Sequence, residues 1–196
     1  MSLKRSFDFF LSLFGLLVFS WLILIVWLIA SFSTKSNGFF TQKRVGKYGS
    51  LFTLIKIKTM KQISGFDTTV TTKNDIRITK LGSFFRKTKL DELPTLWNVF
   101  IGDMSLVGPR PDVPGYADKL KGNDRRILQL RPGITGPATL KYANEEQLLA
   151  SVNDPQKYND EVIFPDKVKI NLEYLDNWSL GLDIKIIFRT IFRSNY

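Results

Sequence analysis

The sequence predicts an α+β fold, a mainly helical compact domain with a short β-hairpin, attached to an apolar N-terminal helix inserted in a membrane. Three observations predict it. No charged residue occurs from Phe9 to Phe32, two strand-like runs flank the turn residues Gly46-Lys47-Tyr48-Gly49, and much of the later apolar content recurs at helical spacing. At 196 residues, 44% of them hydrophobic, the chain suffices for one core plus a membrane segment. We divide it into residues 1–34, the membrane helix, and residues 35–196, a membrane-associated domain.

As one helix, the run from Phe9 to Phe32 reaches ~36 Å at ~1.5 Å per residue, more than the ~30 Å hydrocarbon core. It is too long, and too poorly equipped with a small-residue cleavage site, for a typical signal peptide. Lys4 and Arg5 precede it, and Lys35, Lys43 and Arg44 follow, so both ends carry the charge that is normally retained in the cytoplasm. A span puts one basic end outside, whereas a re-entrant hairpin keeps both inside; these residues leave both geometries open. Ser20, near the middle, can bond back to a carbonyl of the preceding turn and bend the helix.

Phe39 to Val45 and Leu51 to Lys58 read as the two strands. Lys56 and Lys58 share one face of the second and Ile55 and Ile57 the other. Such a strand offers two cations to a phosphate, or is a solvated edge protected by lysines. Ser64 to Asn74 is polar and reads as a loop, either a lid or ordinary surface. Leu81 to Lys87 is a short helix. Thr88 then stands where it can cap the next helix, with Asp91 at the third position of a capping box, unless Pro94 moves the start toward Leu93. Leu93, Leu96, Trp97 and Phe100 form the apolar stripe of that helix.

Gly102 to Pro111 and Arg131 to Pro137 read as proline-stiffened loops presenting Arg110 and Arg131. Asp166 to Asn177 and Leu182 to Ser194 are helical. In the second, Lys185, Arg189 and Arg193 recur every four residues beside Ile184, Ile187, Phe188, Ile191 and Phe192. That pattern fits a helix at a membrane interface, or a core helix with a basic edge. Asn177-Trp178-Ser179 matches a glycosylation triplet, without consequence in a domain facing the cytosol.

The chain contains neither histidine nor cysteine. A Ser-His-Asp triad, a thiol nucleophile, a histidine base and an ordinary zinc site are thereby excluded. Carboxylates, hydroxyls, Lys, Arg and an oxygen-held hard cation remain. The net charge of +10, with no acid between Asp8 and Asp67, calls for an anionic partner. Basic residues placed beside an apolar run favour a membrane surface over nucleic acid. The best candidate for chemistry is Lys89-Leu90-Asp91-Glu92-Leu93-Pro94, which follows Arg86 and Lys87, although acids near a helix start are also common as plain structural features.

These blocks occur in one order: Lys4-Arg5 with Phe7-Asp8, the apolar segment, Phe40-Thr41-Gln42-Lys43-Arg44-Val45-Gly46, Lys56-Ile57-Lys58-Thr59-Met60, Leu90-Asp91-Glu92-Leu93-Pro94 with Trp97-Asn98-Val99, Gly102-Asp103-Met104-Ser105-Leu106-Val107-Gly108-Pro109-Arg110-Pro111, and Arg131-Pro132-Gly133-Ile134-Thr135-Gly136. Together they resemble the bacterial sugar transferase family, small monotopic phosphoglycosyl transferases. The resemblance implies transfer of a sugar-1-phosphate from a UDP-sugar to undecaprenyl phosphate, with release of UMP, at the cytoplasmic face of the bacterial inner membrane as the first membrane step of glycan assembly. It further implies that Asp91 is the nucleophile of a covalent phosphosugar intermediate and that Glu92 handles Mg²⁺ and protons, so that Asp91 and Glu92 are the metal ligands. Arg110 matches the family's arginine between two prolines, and with Lys56, Lys58, Arg86 and Arg131 it is a candidate for the substrate phosphates. The cations and a helix terminus are expected to hold Asp91 ionised.

The implied partners are the UDP-sugar, undecaprenyl phosphate and membrane lipids, without nucleic acid. The resemblance also implies a re-entrant apolar segment, although the family's usual Ser-Pro at the bend is Ser20-Trp21 here. A non-enzymatic, membrane-anchored basic binding protein accounts for the charge and the apolar run. It gives no role to Asp91-Glu92 or to the two Arg-Pro loops.

Overall fold

A computed structural model describes residues 2–61 and 75–192 of the chain. The predicted loop from Ser64 to Asn74, and Arg193 and Ser194 of the last predicted helix, lie outside the described residues. The described structure is mainly helical, with two small two-stranded sheets and one long apolar helix at the N-terminus.

That helix, α1 (Ser2–Thr34), runs 33 residues. Lys4, Asp8, Ser12 and Gly15 are buried along its first half and Val26, Ala30 and Thr34 along its last, a step of three or four residues that keeps them on one face. Leu17 to Trp21, between the two sets, is exposed. Ser20 Oγ donates to the Leu17 carbonyl at 3.3 Å, the bond back to the preceding turn that the sequence suggested. At the N-terminal end Arg5 donates to the carbonyls of Val99 and Phe100, each at 2.6 Å, and Asp8 accepts from the Leu106 amide at 3.0 Å. Lys4 Nζ meets Asp183 Oδ2 at 2.6 Å; Tyr174 and Trp178 donate to the same carboxylate. Lys4 is 8% exposed and Asp183 is fully enclosed.

The hairpin follows as read. Strands β1 (Phe39–Val45) and β2 (Leu51–Ile57) pair antiparallel, from Phe39 opposite Ile57 to Val45 opposite Leu51. Tyr48 takes a left-handed conformation in the turn. The facing differs from the expectation. Leu54, on the same side as Lys56, packs into the main core with Phe52, Val99 and Met104, while Ile57 joins Val26, Ala30 and Phe85 beneath α1. Lys56 therefore belongs to a covered face, not to a solvated edge.

Helix α2 (Lys80–Thr88) is capped at its start by Thr79, whose Oγ1 accepts from the Gly82 amide at 2.8 Å. Thr88 does not cap the next helix. Its hydroxyl donates back to the Phe84 carbonyl at 2.8 Å, Lys89 turns left-handed, and Leu90–Glu92 form a single 3-10 turn. Helix α3 (Thr95–Ile101) begins only after Pro94. Proline's missing amide and fixed φ suit a helix start, which is why the start moved from Thr88 to Pro94.

The two Arg-Pro segments are not independent loops. Strand β3 (Ser105–Val107) pairs parallel with β4 (Gly133–Thr135). Gly108 donates to the Thr135 carbonyl at 2.8 Å and Gly133 to the Pro109 carbonyl at 2.7 Å. A Cβ on Gly133 would stand 2.1 Å from the Gly108 nitrogen, and one on Gly136 would stand 2.2 Å from the Gly108 oxygen. Only glycine permits this approach of two backbones.

Short helices α4 (Pro137–Lys141), α5 (Glu145–Ala150) and α6 (Pro155–Tyr158) lead to α7 (Phe164–Asp176) and α8 (Leu180–Ile191). The glycosylation-like triplet has structural work: Trp178 bonds Asp183, and Ser179 caps α8 through the Leu182 amide. Ile186 is buried, whereas Ile184, Phe188, Ile191 and Phe192 are exposed.

Removing one member of a buried ion pair leaves the other charge desolvated and unpaired. Asp183→Ala should destabilise the detergent-solubilised protein by roughly 3–5 kcal/mol, read from its denaturant midpoint, and Lys4→Met with Asp183→Leu should recover much of the loss. An unchanged midpoint in the single variant would remove the pair from the account of how α1 docks.

Candidate active site

The acid pair sits in the 3-10 turn between α2 and α3, facing the end of β2. Asn98, within α3, locks these elements together: its Oδ1 accepts from the Ile55 amide at 3.1 Å and its Nδ2 donates to the Thr53 carbonyl at 2.8 Å. Those bonds flank Leu54 and, at Ile55, end one residue before Lys56, which fixes the strand's height against α3. Lys56 Nζ accordingly meets Glu92 Oε1 at 2.8 Å, with Arg110 Nη2 at 3.8 Å from the same oxygen. Arg44, Lys56, Glu92 and Arg110 line one recess, floored by Leu54 and Met104.

The two adjacent acids are held in opposite ways. Burial would push Glu92 up, but Lys56, Arg110 and Lys89 outweigh it and hold its carboxyl at about 2. Asp91 is 8% exposed, and its Oδ1 is buried with no hydrogen-bond partner among the described residues. Burial, then the Glu92 charge, raises Asp91 above the ordinary carboxylate value; Lys56, Lys89 and Arg86 oppose this without overcoming it. Burial is the largest influence on Asp91, so the surrounding cations lower it without bringing it below the ordinary carboxylate value. Lys56 is itself lowered by burial, against the pull of Glu92.

Of the residues proposed from sequence, the structure brings Asp91, Glu92, Lys56 and Arg110 together, and Arg86 bears on Asp91 through its charge. Lys58 is turned away: its Nζ donates to Ser36 Oγ at 3.0 Å, beyond the end of α1. Arg131 is also directed elsewhere, its Nε donating to the Gly102 carbonyl at 2.8 Å where α3 ends. Sequence reasoning missed Asn98 and Arg44 as members of the site. A lone amide within an apolar helical stripe was the available signal for Asn98.

Among the described residues no three potential ligands gather as a metal-binding group. The pair suits Mg²⁺ only in the manner of sites in which one or two carboxylates share the ion with substrate phosphates and water. The unpartnered Asp91 Oδ1 is the feature that fits; Glu92 Oε1 is already engaged by Lys56.

The chain matches the family model described as bacterial sugar transferase over residues 1–195. It is 33% identical over 198 residues to the UDP-glucose:undecaprenyl-phosphate glucose-1-phosphate transferase of Klebsiella pneumoniae, which covers 98% of this chain and 40% of that protein. It is 35% identical over 191 residues to the uncharacterized sugar transferase EpsL of Bacillus subtilis, covering 97% and 86% respectively. To the UDP-galactose-lipid carrier transferase of Erwinia amylovora it is 34% identical over 208 residues, covering 96% and 39%. The chain thus spans less than half the length of two of these relatives.

Glu92 stays ionised down to about pH 2, so the stability it gains is fully present above the ordinary glutamate value of 4.5 and is lost as pH falls toward 2. In Lys56→Met the Glu92 carboxyl should titrate at distinctly higher pH, followed by carbon NMR of the labelled side chain. An unmoved midpoint would show that Lys56 is not its principal counter-charge.

Proposed function

The chain belongs to the bacterial sugar transferase family, and from that premise we propose that it transfers a sugar-1-phosphate from a UDP-sugar to undecaprenyl phosphate. The observation that carries the reading is Asp91: a buried carboxylate with one oxygen unpartnered among the described residues, next to a glutamate already neutralised by Lys56 and Arg110. In the first step an Asp91 oxygen bonds to the β-phosphorus of the donor. The bond from that phosphorus to the bridging oxygen breaks, and UMP leaves with the electron pair. In the second, the undecaprenyl phosphate oxygen bonds to the same phosphorus and the Asp91 bond breaks, which restores the carboxylate and yields undecaprenyl-diphospho-sugar.

A carboxylate approaching a diphosphate meets like charge. Lys56 and Arg110 face the recess and offset it, and Arg86 and Lys89 do so near Asp91 itself. Asp91 and Glu92 are the residues that would hold Mg²⁺, which would supply further neutralisation of the phosphates. The acceptor phosphate is already an anion, so the chain's lack of histidine is no obstacle. Burial raises Asp91 above the ordinary carboxylate value, opposed by the Lys56, Lys89 and Arg86 charges.

In this reading residues 1–34 are the membrane-inserted segment and residues 35–196 the catalytic domain at the cytoplasmic face of the inner membrane. Both ends of α1 contact that one domain: Arg5 at α3 and Trp27 against Phe39 of β1, with ring centroids 5.9 Å apart. A crossing helix separates its ends by the ~30 Å hydrocarbon layer. Shared contacts at both ends support the re-entrant geometry, with the uncovered turn from Leu17 to Trp21 as its deepest part. The exposed Phe188, Ile191 and Phe192 of α8 suit an interfacial helix beside it.

Incubated with a panel of UDP-sugars and undecaprenyl phosphate, the purified protein should release UMP with one of them. Asp91→Asn should lower that release at least a thousandfold, about 4 kcal/mol of barrier, and chelation of Mg²⁺ should stop it while the protein stays in the membrane fraction. Undiminished release by the variant would sink the nucleophile assignment. For topology, Ser2→Cys and Ser36→Cys should both be labelled by a membrane-impermeant thiol reagent only from the cytoplasmic side. Labelling of Ser2→Cys from the periplasm would establish a span.

A further inference from the structure

Arg110 reaches the recess from a segment that is held on both sides. Ahead of it, the Pro109 carbonyl accepts from the Gly133 amide at 2.7 Å, a main-chain bond of the β3–β4 junction. Behind it comes the Arg110–Pro111 peptide, which has no N–H to anchor. The Pro111 carbonyl that follows is held by a side chain, Arg44 Nη1 at 3.0 Å, and the Val45 amide bonds the Asp112 carbonyl at 2.9 Å. The end of β1 thus grips two successive carbonyls of the segment. Arg110's own side chain is 50% exposed, and its guanidinium stands 3.8 Å from Glu92 Oε1, too long for a hydrogen bond. Where it points is therefore set by the backbone it leaves.

The hairpin register places Gln42 opposite Leu54 and Arg44 opposite Phe52, so Gln42 and Arg44 share the sheet face that carries Leu54 and Lys56. Gln42 Oε1 accepts from Arg44 Nη2 at 2.6 Å while Nη1 takes the Pro111 carbonyl. Both tips of a planar fork are fixed at once, one by its own strand and one by the segment of Arg110; the single ammonium of a lysine cannot reproduce this. The arrangement has a cost. Arg44 Nε is buried with no acceptor among the described residues, and Arg44 lines the recess with Lys56 and Arg110 against a single lining carboxylate, Glu92. An unmet buried donor among like charges lowers stability. As a plain cross-link that is a poor exchange, whereas in a recess that receives an anion the excess charge is offset when the anion arrives.

We infer that Arg44 is a positioning residue for Arg110: braced by Gln42, it holds the Pro111 carbonyl so that the Arg110 guanidinium already stands at the recess when the donor diphosphate enters. Arg44 acts through Arg110 and not by contact with the donor, since its Nε is enclosed and both Nη groups are engaged. A cation placed beforehand loses less freedom on binding than one that must be gathered from solvent. This rests on the transfer reading above, which makes the donor diphosphate the occupant of the recess.

Calorimetric binding of UDP, with Mg²⁺, to the full chain in lipid nanodiscs tests this through a double-mutant cycle. Arg110→Ala and Arg44→Met should each weaken UDP roughly tenfold, the loss expected for one hydrogen bond to a charged group, and the double variant should bind no worse than Arg110→Ala alone. Arg44→Lys, which keeps the charge but not the fork, should stay near Arg44→Met. Gln42→Ala leaves Arg44 in place but unbraced; it should lose part of the affinity, should lose nothing further once Arg110 is gone, and serves in place of Arg44→Met if that variant lacks the native helical circular dichroism. Losses that add in the double variant would overturn the assignment. So would native affinity in Arg44→Met, or full recovery in Arg44→Lys, which would leave charge alone as the contribution of Arg44. UMP release from UDP-sugars, assayed on the same preparations, separates the two readings: coupled loss of UDP affinity without release by the native protein retires the transfer alone, release with additive losses retires the positioning alone, and a native protein that binds no UDP retires both.

Discussion

The buried pair of Lys4 with Asp183 determines where the apolar helix stands relative to everything else. Apolar packing is non-directional, and a helix rich in leucine and phenylalanine could slide or roll against a hydrophobic surface at little cost. An enclosed ammonium has no such freedom: it must meet its carboxylate, and Tyr174 and Trp178 complete the coordination of that carboxylate. Such pairs add little net stability over apolar substitutes but can select one arrangement among several. Arg5 at the end of α3 and Asp8 on the Leu106 amide then set the rotation of α1. Because α3 follows directly on the turn that carries Asp91 and Glu92, the height of the acid pair against the apolar helix is set by this polar cluster.

At the other end of that path, Asp91 and Glu92 show how neighbours in sequence acquire opposite characters. One 3-10 turn points Glu92 at Lys56 and Arg110, and buries Asp91 with an oxygen that no described residue satisfies. The ionised glutamate also makes its neighbour harder to ionise, so the cationic surroundings act mainly on one acid while desolvation governs the other. Asn98 makes this possible by holding strand and turn in register through the strand's backbone.

Much of the fold was legible. The hairpin was readable to within one residue, because alternation and a Gly-flanked turn coincide there, and the uncharged run announced α1. What escaped notice depends on contacts distant in sequence. A three-residue parallel pairing such as β3 with β4 is too short to carry a period, so its halves read as separate loops. Thr88 looked like a cap because its spacing to Asp91 suited one, but Lys89 left the helical region and Pro94 offered a better start. The acid pair and its cations Lys56 and Arg110 were legible as chemistry. Lys58 and Arg131 were not separable from them, because which cation faces a recess depends on where a strand ends and what lies beyond it.

The glycine seam between the β3 and β4 segments has a consequence for how this chain can diverge. Side-chain contacts can be exchanged by paired substitutions, but a junction made of main chain against main chain offers no residue to compensate. Gly108, Gly133 and Gly136 are therefore positions with no neutral neighbours in sequence space. The seam also has no rotamers to populate, so warming does not loosen it by the route available to packed side chains. Arg110, two residues from Gly108, inherits that stiffness from the backbone itself.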